Sequence, residues 1–172
     1  MSNISEVVSS LKTQWSLPKQ VVHRGEPCPF LLGCSFAAQP VDPGELHQLG
    51  LSLPEDVREF WLIARNAELF KDQRYSQWGV EVLEPAQAKF ETERQRAARP
   101  KDLTRLDLVL ARFFGDSDLV VVNCGSHDEG FGSITIALPI DRRSDWPLVA
   151  TSFGEFLESM AEAQGDKYWE TK

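Results

Sequence analysis

The sequence predicts an α+β fold, an antiparallel β-sheet flanked by N-terminal and C-terminal helices, in a single domain spanning residues 1–172. Three observations carry this. Apolar residues recur at helical spacing near both ends of the chain, residues 106–138 instead form short apolar or alternating runs between turns, and helices and strands do not alternate in the regular βαβ order of a parallel sheet. At 172 residues the chain has about one domain's length and enough bulk to bury a core without a metal or a disulfide.

Ile4, Val7, Val8, Leu11 and Trp15 fall at i, i+3, i+4, i+7 and i+11, so an amphipathic helix opens the chain and Pro18 ends it. The stretch from Pro18 to Pro43 reads as irregular because Gly25, Pro27, Pro29, Gly33 and Pro40 interrupt it. Its Phe30-Leu31-Leu32 is too apolar for a free linker and predicts a segment lying across the body. A short helix is expected at Pro43–Leu49. A longer one starts at Pro54, where a first helical turn tolerates proline and where Glu55 and Asp56 meet the positive helix end. Val57, Phe60, Trp61 and Ala64 form its buried stripe, and Asn66 suits its end.

Trp78–Leu83 reads as a strand, and Pro85 begins a charge-rich helix running to about Arg99. Leu106–Phe114 and Leu119–Asn123 are strands joined by the turn Gly115-Asp116-Ser117-Asp118. In Ser133–Leu138, the side chains of Ile134, Ile136 and Leu138 alternate with smaller ones, as a sheet with one covered face requires. Ser152 and Glu155 make an S-x-x-E capping box ahead of the apolar stripe Phe153, Phe156, Leu157 and Met160, and Gly165 closes that last helix.

Charge narrows the function. With 26 acidic against 18 basic side chains the net charge is −8, which argues against a nucleic-acid binder and favours basic partners. No apolar run approaches the ~20 residues of a membrane span, and the N-terminus lacks a basic start followed by an apolar stretch, so no membrane association and a cytoplasmic location are expected. Three cysteines, an odd number, agree with a reducing compartment, where the Asn3-Ile4-Ser5 sequon carries no glycan.

The chemical motifs are weak. Cys124-Gly-Ser-His127 pairs a thiol with an imidazole, but nearness in sequence does not make a nucleophile and its base. His23, Cys28, Cys34 and His47 lack the tight spacing of a zinc knuckle, and Gly125, Gly130 and Gly132 lead into a strand with no following lysine, unlike a phosphate-binding loop. No catalytic residue, cofactor or metal is assigned. Asp116, Asp118, Asp128 and Glu129 occupy the two connections flanking the strand Leu119–Asn123, within a stretch from 113 to 141 that carries no Lys or Arg. They read either as turn formers in solvent or as an acidic patch meeting a basic surface. Trp15 and Trp61 fall on apolar stripes, whereas Trp78, Trp146 and Trp169 have polar or loop surroundings, and Trp146 is the first candidate for an interface anchor.

Leu53-Pro54-Glu55-Asp56-Val57-Arg58-Glu59-Phe60-Trp61 through Asn66 resembles the opening "LP…F…NG" helix of the SUKH superfamily. Gly115-Asp116 followed by Leu119-Val-Val-Val resembles that family's G-D strand entry, and Thr151-Ser-Phe-Gly-Glu-Phe-Leu157 is similar to its closing "SFEEFL" helix. The likeness covers roughly residues 40–165. Ala67-Glu68 departs from the glycines usual after Asn66, and residues 1–40 are an N-terminal helix and extended segment outside the usual core.

The resemblance implies an antiparallel sheet flanked by helices, with no enzymatic activity or cofactor. It further implies a protein-binding role: either an immunity protein that neutralises a polymorphic bacterial toxin, or a regulatory adaptor for an endogenous protein, as in fungal cell-wall assembly. Under the first reading the partner is a basic toxin domain encoded nearby. Asp116, Asp118, Asp128 and Glu129 would steer and orient it, and Trp146 would anchor it. A hydrolase using Cys124 and His127 is the rival of a different class.

Overall fold

The computed structural model describes residues 3–171. Helix α1 (Ile4–Gln14) forms where its spacing predicts, capped by the Asn3 side chain, which accepts from the N–H groups of Ser5 and Glu6. Ile4, Val7, Val8 and Leu11 are buried, and Trp15 follows as the C-cap.

The segment after Pro18 is not irregular. β1 (Lys19–His23) and β2 (Glu26–Phe36) form an antiparallel hairpin. Arg24 and Gly25 make its two-residue turn with φ of 55° and 81°, the left-handed pair that matches strand twist. Pairing of β2 to β3 (Ala67–Asp72) starts only at Leu32, so Pro27 and Pro29 sit where β2 has a neighbour on one side alone and a missing N–H is tolerated. The strand β3 was likewise not expected. Helix α3 (Glu55–Ile63) ends before Asn66, and the chain enters β3 at Ala67 and Glu68, in extended backbone where the resemblance would have placed glycines.

The remaining elements are α2 (Pro43–His47), β4 (Val80–Val82), α4 (Pro85–Ala98), β5 (Asp107–Phe113), β6 (Leu119–Asn123), β7 (Ile134–Ala137), β8 (Leu148–Ala150) and α5 (Phe153–Glu162). All fall close to their expected places except the short strand β8, which the sequence did not signal. Asp42 caps α2 through a reciprocal box with Glu45. At α5 only half of the expected box forms: Ser152 accepts from the Glu155 N–H, while the Glu155 carboxylate accepts from the N–H and hydroxyl of Thr151 instead. Gly165, at φ +82°, donates its N–H to the Met160 carbonyl and closes the helix.

The eight strands form one antiparallel sheet in chain order. Helices α1, α3 and α5 pack on one another, while α4 packs over β5 with α2 against it. The pairing rows show the division. Arg112, Leu119 and Ala137 are cross-strand partners and line a groove with α4. Phe113, one residue on and so facing the other way, stacks edge-on with Trp169, which meets Phe156 of α5. Covered by helices on both sides, β5 and β6 are buried almost throughout, which is why they read as apolar runs and not as alternations.

The chain then turns back beneath α5. The Gln164 side-chain oxygen accepts from the Val22 N–H on edge strand β1, and the Tyr168 hydroxyl donates to the Val149 carbonyl on edge strand β8. Between them the Trp78 indole donates to the Gly165 carbonyl, and Arg24 pairs with Asp166 and Glu170. One C-terminal segment therefore occupies backbone positions on both edges of the sheet, where an unpaired strand would invite another chain.

Candidate functional site

The four acidic residues singled out in the sequence do not form one patch. Asp116 and Asp118 lie in the β5–β6 turn, and Asp128 and Glu129 lie in the β6–β7 connection, at opposite ends of a strand about 13 Å long. Lys167 separates the two pairs further in character. Its ammonium donates to Asp118 at 2.9 Å and also to Asp116, and both Lys167 and Asp118 are buried. Burial alone would lower the Lys167 amine, yet its hydrogen bonds to Asp116 and Asp118 raise it above the ordinary lysine value. One of the two negative charges of the Asp116–Asp118 turn is thus offset from within the chain by a residue 49 positions beyond Asp118. Asp128 and Glu129 remain exposed.

Trp146 is 6% exposed, so its ring is not offered to a partner. It serves the fold. Its indole N–H donates to the Asp141 carbonyl, and the Arg99 and Arg143 guanidinium groups lie 5.1 Å and 5.2 Å from its ring centroid. Arg99, the C-cap of α4, also donates to the carbonyls of Leu138 and Asp141, while Arg143 reaches Asp107 and the Asp102 carbonyl. This cluster fastens the β7–β8 connection to the end of α4. The Arg143 N–H and the Arg99 guanidinium hold the Asp102 carboxyl below its usual range against the opposing effect of burial.

Between α4 and the sheet runs a groove of about 390 Å³ lined by Glu91, Arg94, Arg99, Arg112, Asp116 and Leu119, among others. Its cations are matched within the chain: Arg94 pairs with Glu91, Arg99 with Asp102, and Arg112 with Glu81. The groove therefore presents balanced charge, without a bare site for an anion.

Cys124 is 1% exposed, and burial, with Asp107 adding to it, pushes its thiol up to about 12. A nucleophilic cysteine needs the opposite, a lowered value and an open approach. Cys28 and Cys34 are also buried and free, and Cys34 is pushed to about 12 by burial. Among the described residues no group of three His, Cys, Asp or Glu is placed to hold a metal ion. No helix among them is long and apolar enough to cross a membrane.

The acidic surplus is concentrated elsewhere. Helices α1, α3 and α5 carry seven acidic residues, Glu6, Glu55, Asp56, Glu59, Glu155, Glu158 and Glu162, against two basic ones, Lys12 and Arg58. Helix α4 holds three basic residues against two acidic ones. This signal was present in the sequence, because Glu155, Glu158 and Glu162 recur at i, i+3 and i+7 off the apolar stripe of α5. Lys167 had no local signal, since its role depends on where the chain returns.

The SMI1 / KNR4 family (SUKH-1) matches residues 47–159, about two thirds of the chain. The match leaves out α1, the β1–β2 hairpin and the C-terminal segment that caps both sheet edges. No curated protein matches the chain significantly.

Proposed function

This chain belongs to the SMI1 / KNR4 family (SUKH-1), and from that premise we propose that it is a cytoplasmic immunity protein, one that binds and neutralises a basic toxin domain encoded nearby without catalysing a reaction itself. Membership in the family supports an immunity-like or regulator-like protein-binding role in general. The observation that favours the toxin reading is the acidic three-helix layer, which offers a basic domain an oppositely charged surface to approach and orient on. The buried, proton-holding Cys124 supports the non-enzymatic part.

On this reading the exposed Asp128 and Glu129 add to the attraction from the β6–β7 connection. Asp116 and Asp118 contribute less, because Lys167 offsets one of their two charges, and Trp146 supports binding only by holding the β7–β8 connection in place.

Coexpression with the toxin gene beside this one tests the reading. Wild type should restore growth, and Asp128→Asn with Glu129→Gln should weaken protection while leaving thermal stability unchanged. Growth arrest despite a folded wild-type protein, or an adjacent gene that encodes no toxin, would favour the regulatory-adaptor alternative.

A further inference from the structure

We infer that the cavity between α4, the α2–α3 loop and the start of β5 binds the phosphate group of a small phosphate monoester. The cavity holds about 190 Å³, below the roughly 300–1,000 Å³ of a pocket for a drug-sized ligand, so it suits one charged group with little attached. Lys89 and Arg96 line it from α4, Arg105 from the α4–β5 connection, and the half-buried Leu49 and Leu51 from the α2–α3 loop.

The three cations are without counter-ions. No ion pair among the described residues engages Lys89, Arg96 or Arg105, whereas each arginine of the larger groove beside α4 sits on a carboxylate. Backbone carbonyls hold two of them instead. The Lys89 ammonium donates to the Gln48 carbonyl at 3.4 Å. Arg96 donates through Nε and Nη2 to the Thr104 carbonyl at 3.3 Å and 3.2 Å, and through Nη2 to the Asp107 carbonyl at 3.3 Å. Carbonyl oxygens orient a cation without cancelling its charge, and the Arg96 Nη1 keeps its donors unused. The Arg105 side chain has no partner among the described residues.

Glu93 is the one carboxylate on the lining, and it pairs with none of these cations although it lies four residues from Lys89 and three from Arg96. Three cations against one carboxylate leave an excess of about two positive charges inside a concave wall, a local reversal of the field in a chain of net charge −8. A phosphate monoester, at roughly −1.5 to −2 near neutral pH, matches that excess and offers several acceptor oxygens to the guanidinium and ammonium donors. A carboxylate ligand would leave one positive charge unmatched. A long nucleic acid would leave the cavity and meet the acidic remainder of the chain, and the cations repel a metal ion. The inference is independent of the toxin-binding reading, whose partner approaches α1, α3 and α5.

The probes are phenyl phosphate, inorganic phosphate and, as a singly charged control, benzoate. Each is titrated into the isotope-labelled full chain at about pH 7.5, where the monoester is dianionic, with ionic strength held constant and amide chemical shifts followed. Expected are saturable shifts confined to residues 48–52, 89–96 and the surroundings of Arg105, with a dissociation constant for phenyl phosphate of order 1 mM. Inorganic phosphate should shift the same residues more weakly, for want of contact with Leu49 and Leu51, and benzoate should bind at least about tenfold more weakly than phenyl phosphate. Arg105→Gln, at an exposed side chain with no contact to lose, should weaken binding at least about threefold with the melting curve unchanged. Glu93→Gln removes the opposing carboxylate and should tighten binding about threefold, a direction that damage to the fold does not produce.

The absence of saturable shifts, shifts centred on another surface, benzoate binding as tightly as phenyl phosphate, or an unchanged affinity in either variant would overturn the inference.

Discussion

Lys167 shows how one side chain changes the meaning of a motif. The Gly115–Asp118 turn reads as a free acidic tip, yet an ammonium from beyond α5 fills it. Lys167→Met should destabilise the chain by about 3 kcal/mol in denaturant melts, because it strands a buried carboxylate at Asp118. Adding Asp116→Asn and Asp118→Asn should recover part of that loss. The amine is raised in the folded state, so its stabilisation is complete below the unfolded value near pH 10.4 and is lost as pH rises through the folded value. Melts from about pH 8 to about pH 11 should show wild type losing its advantage over the variant at the alkaline end, and a constant difference would contradict the pairing. Cys124 supplies a second residue-scale prediction. Because it is buried with its thiol near 12, native protein at neutral pH should resist iodoacetamide, and the thiol should react once the chain is unfolded. Rapid native alkylation at Cys124 would revive the hydrolase reading. Neither environment was legible locally, since a short motif names the side chain but not the distant residues that surround it.

At the scale of elements, the legible parts were those whose local signals agree with their final surroundings. The helices α1, α3, α4 and α5 and the strands β5 to β7 each had a stripe, a cap or a bounded apolar run. The β1–β2 hairpin was hidden by Pro27 and Pro29, which are compatible with a strand only where one side lacks a neighbour, and that depends on where β3 begins to pair. β3 was hidden by its mixed sequence Ala67-Glu-Leu-Phe-Lys-Asp72, and by Phe70, which adopts φ 51° and lies edge-on to Trp15. Trp146 was singled out as an interface anchor, whereas the ring is buried, because its loop setting concealed the arginines on either side of it. Trp146→Ala should cost about 3 kcal/mol or more, as for other buried tryptophans. Hydrogen exchange should show the β7–β8 connection opening first. A loss of partner binding with unchanged stability would instead place this ring at the interface.

Across the whole molecule, the family match spans residues 47 to 159, and the segments on either side of it meet one another. Arg24 joins Asp166 and Glu170, and Gln164 meets Val22 and His23, so the hairpin and the C-terminal segment lock together while capping the sheet edges. With its edges occupied and its cysteines sealed, the surface that stands out is the acidic helical layer opposite the more basic α4. The net charge of −8 was legible from composition, whereas its location required knowing which helices share a layer. Association with a basic partner should therefore be fast at low salt and slow as salt screens the attraction, the change falling mainly on the association rate. The most direct measurement is a binding titration of the purified chain against the purified product of the adjacent gene, repeated across ionic strength. A stoichiometric complex with a dissociation constant of order 10 nM that weakens as salt is added is the predicted result, and no complex at low salt, or turnover of a substrate by the chain alone, would contradict it.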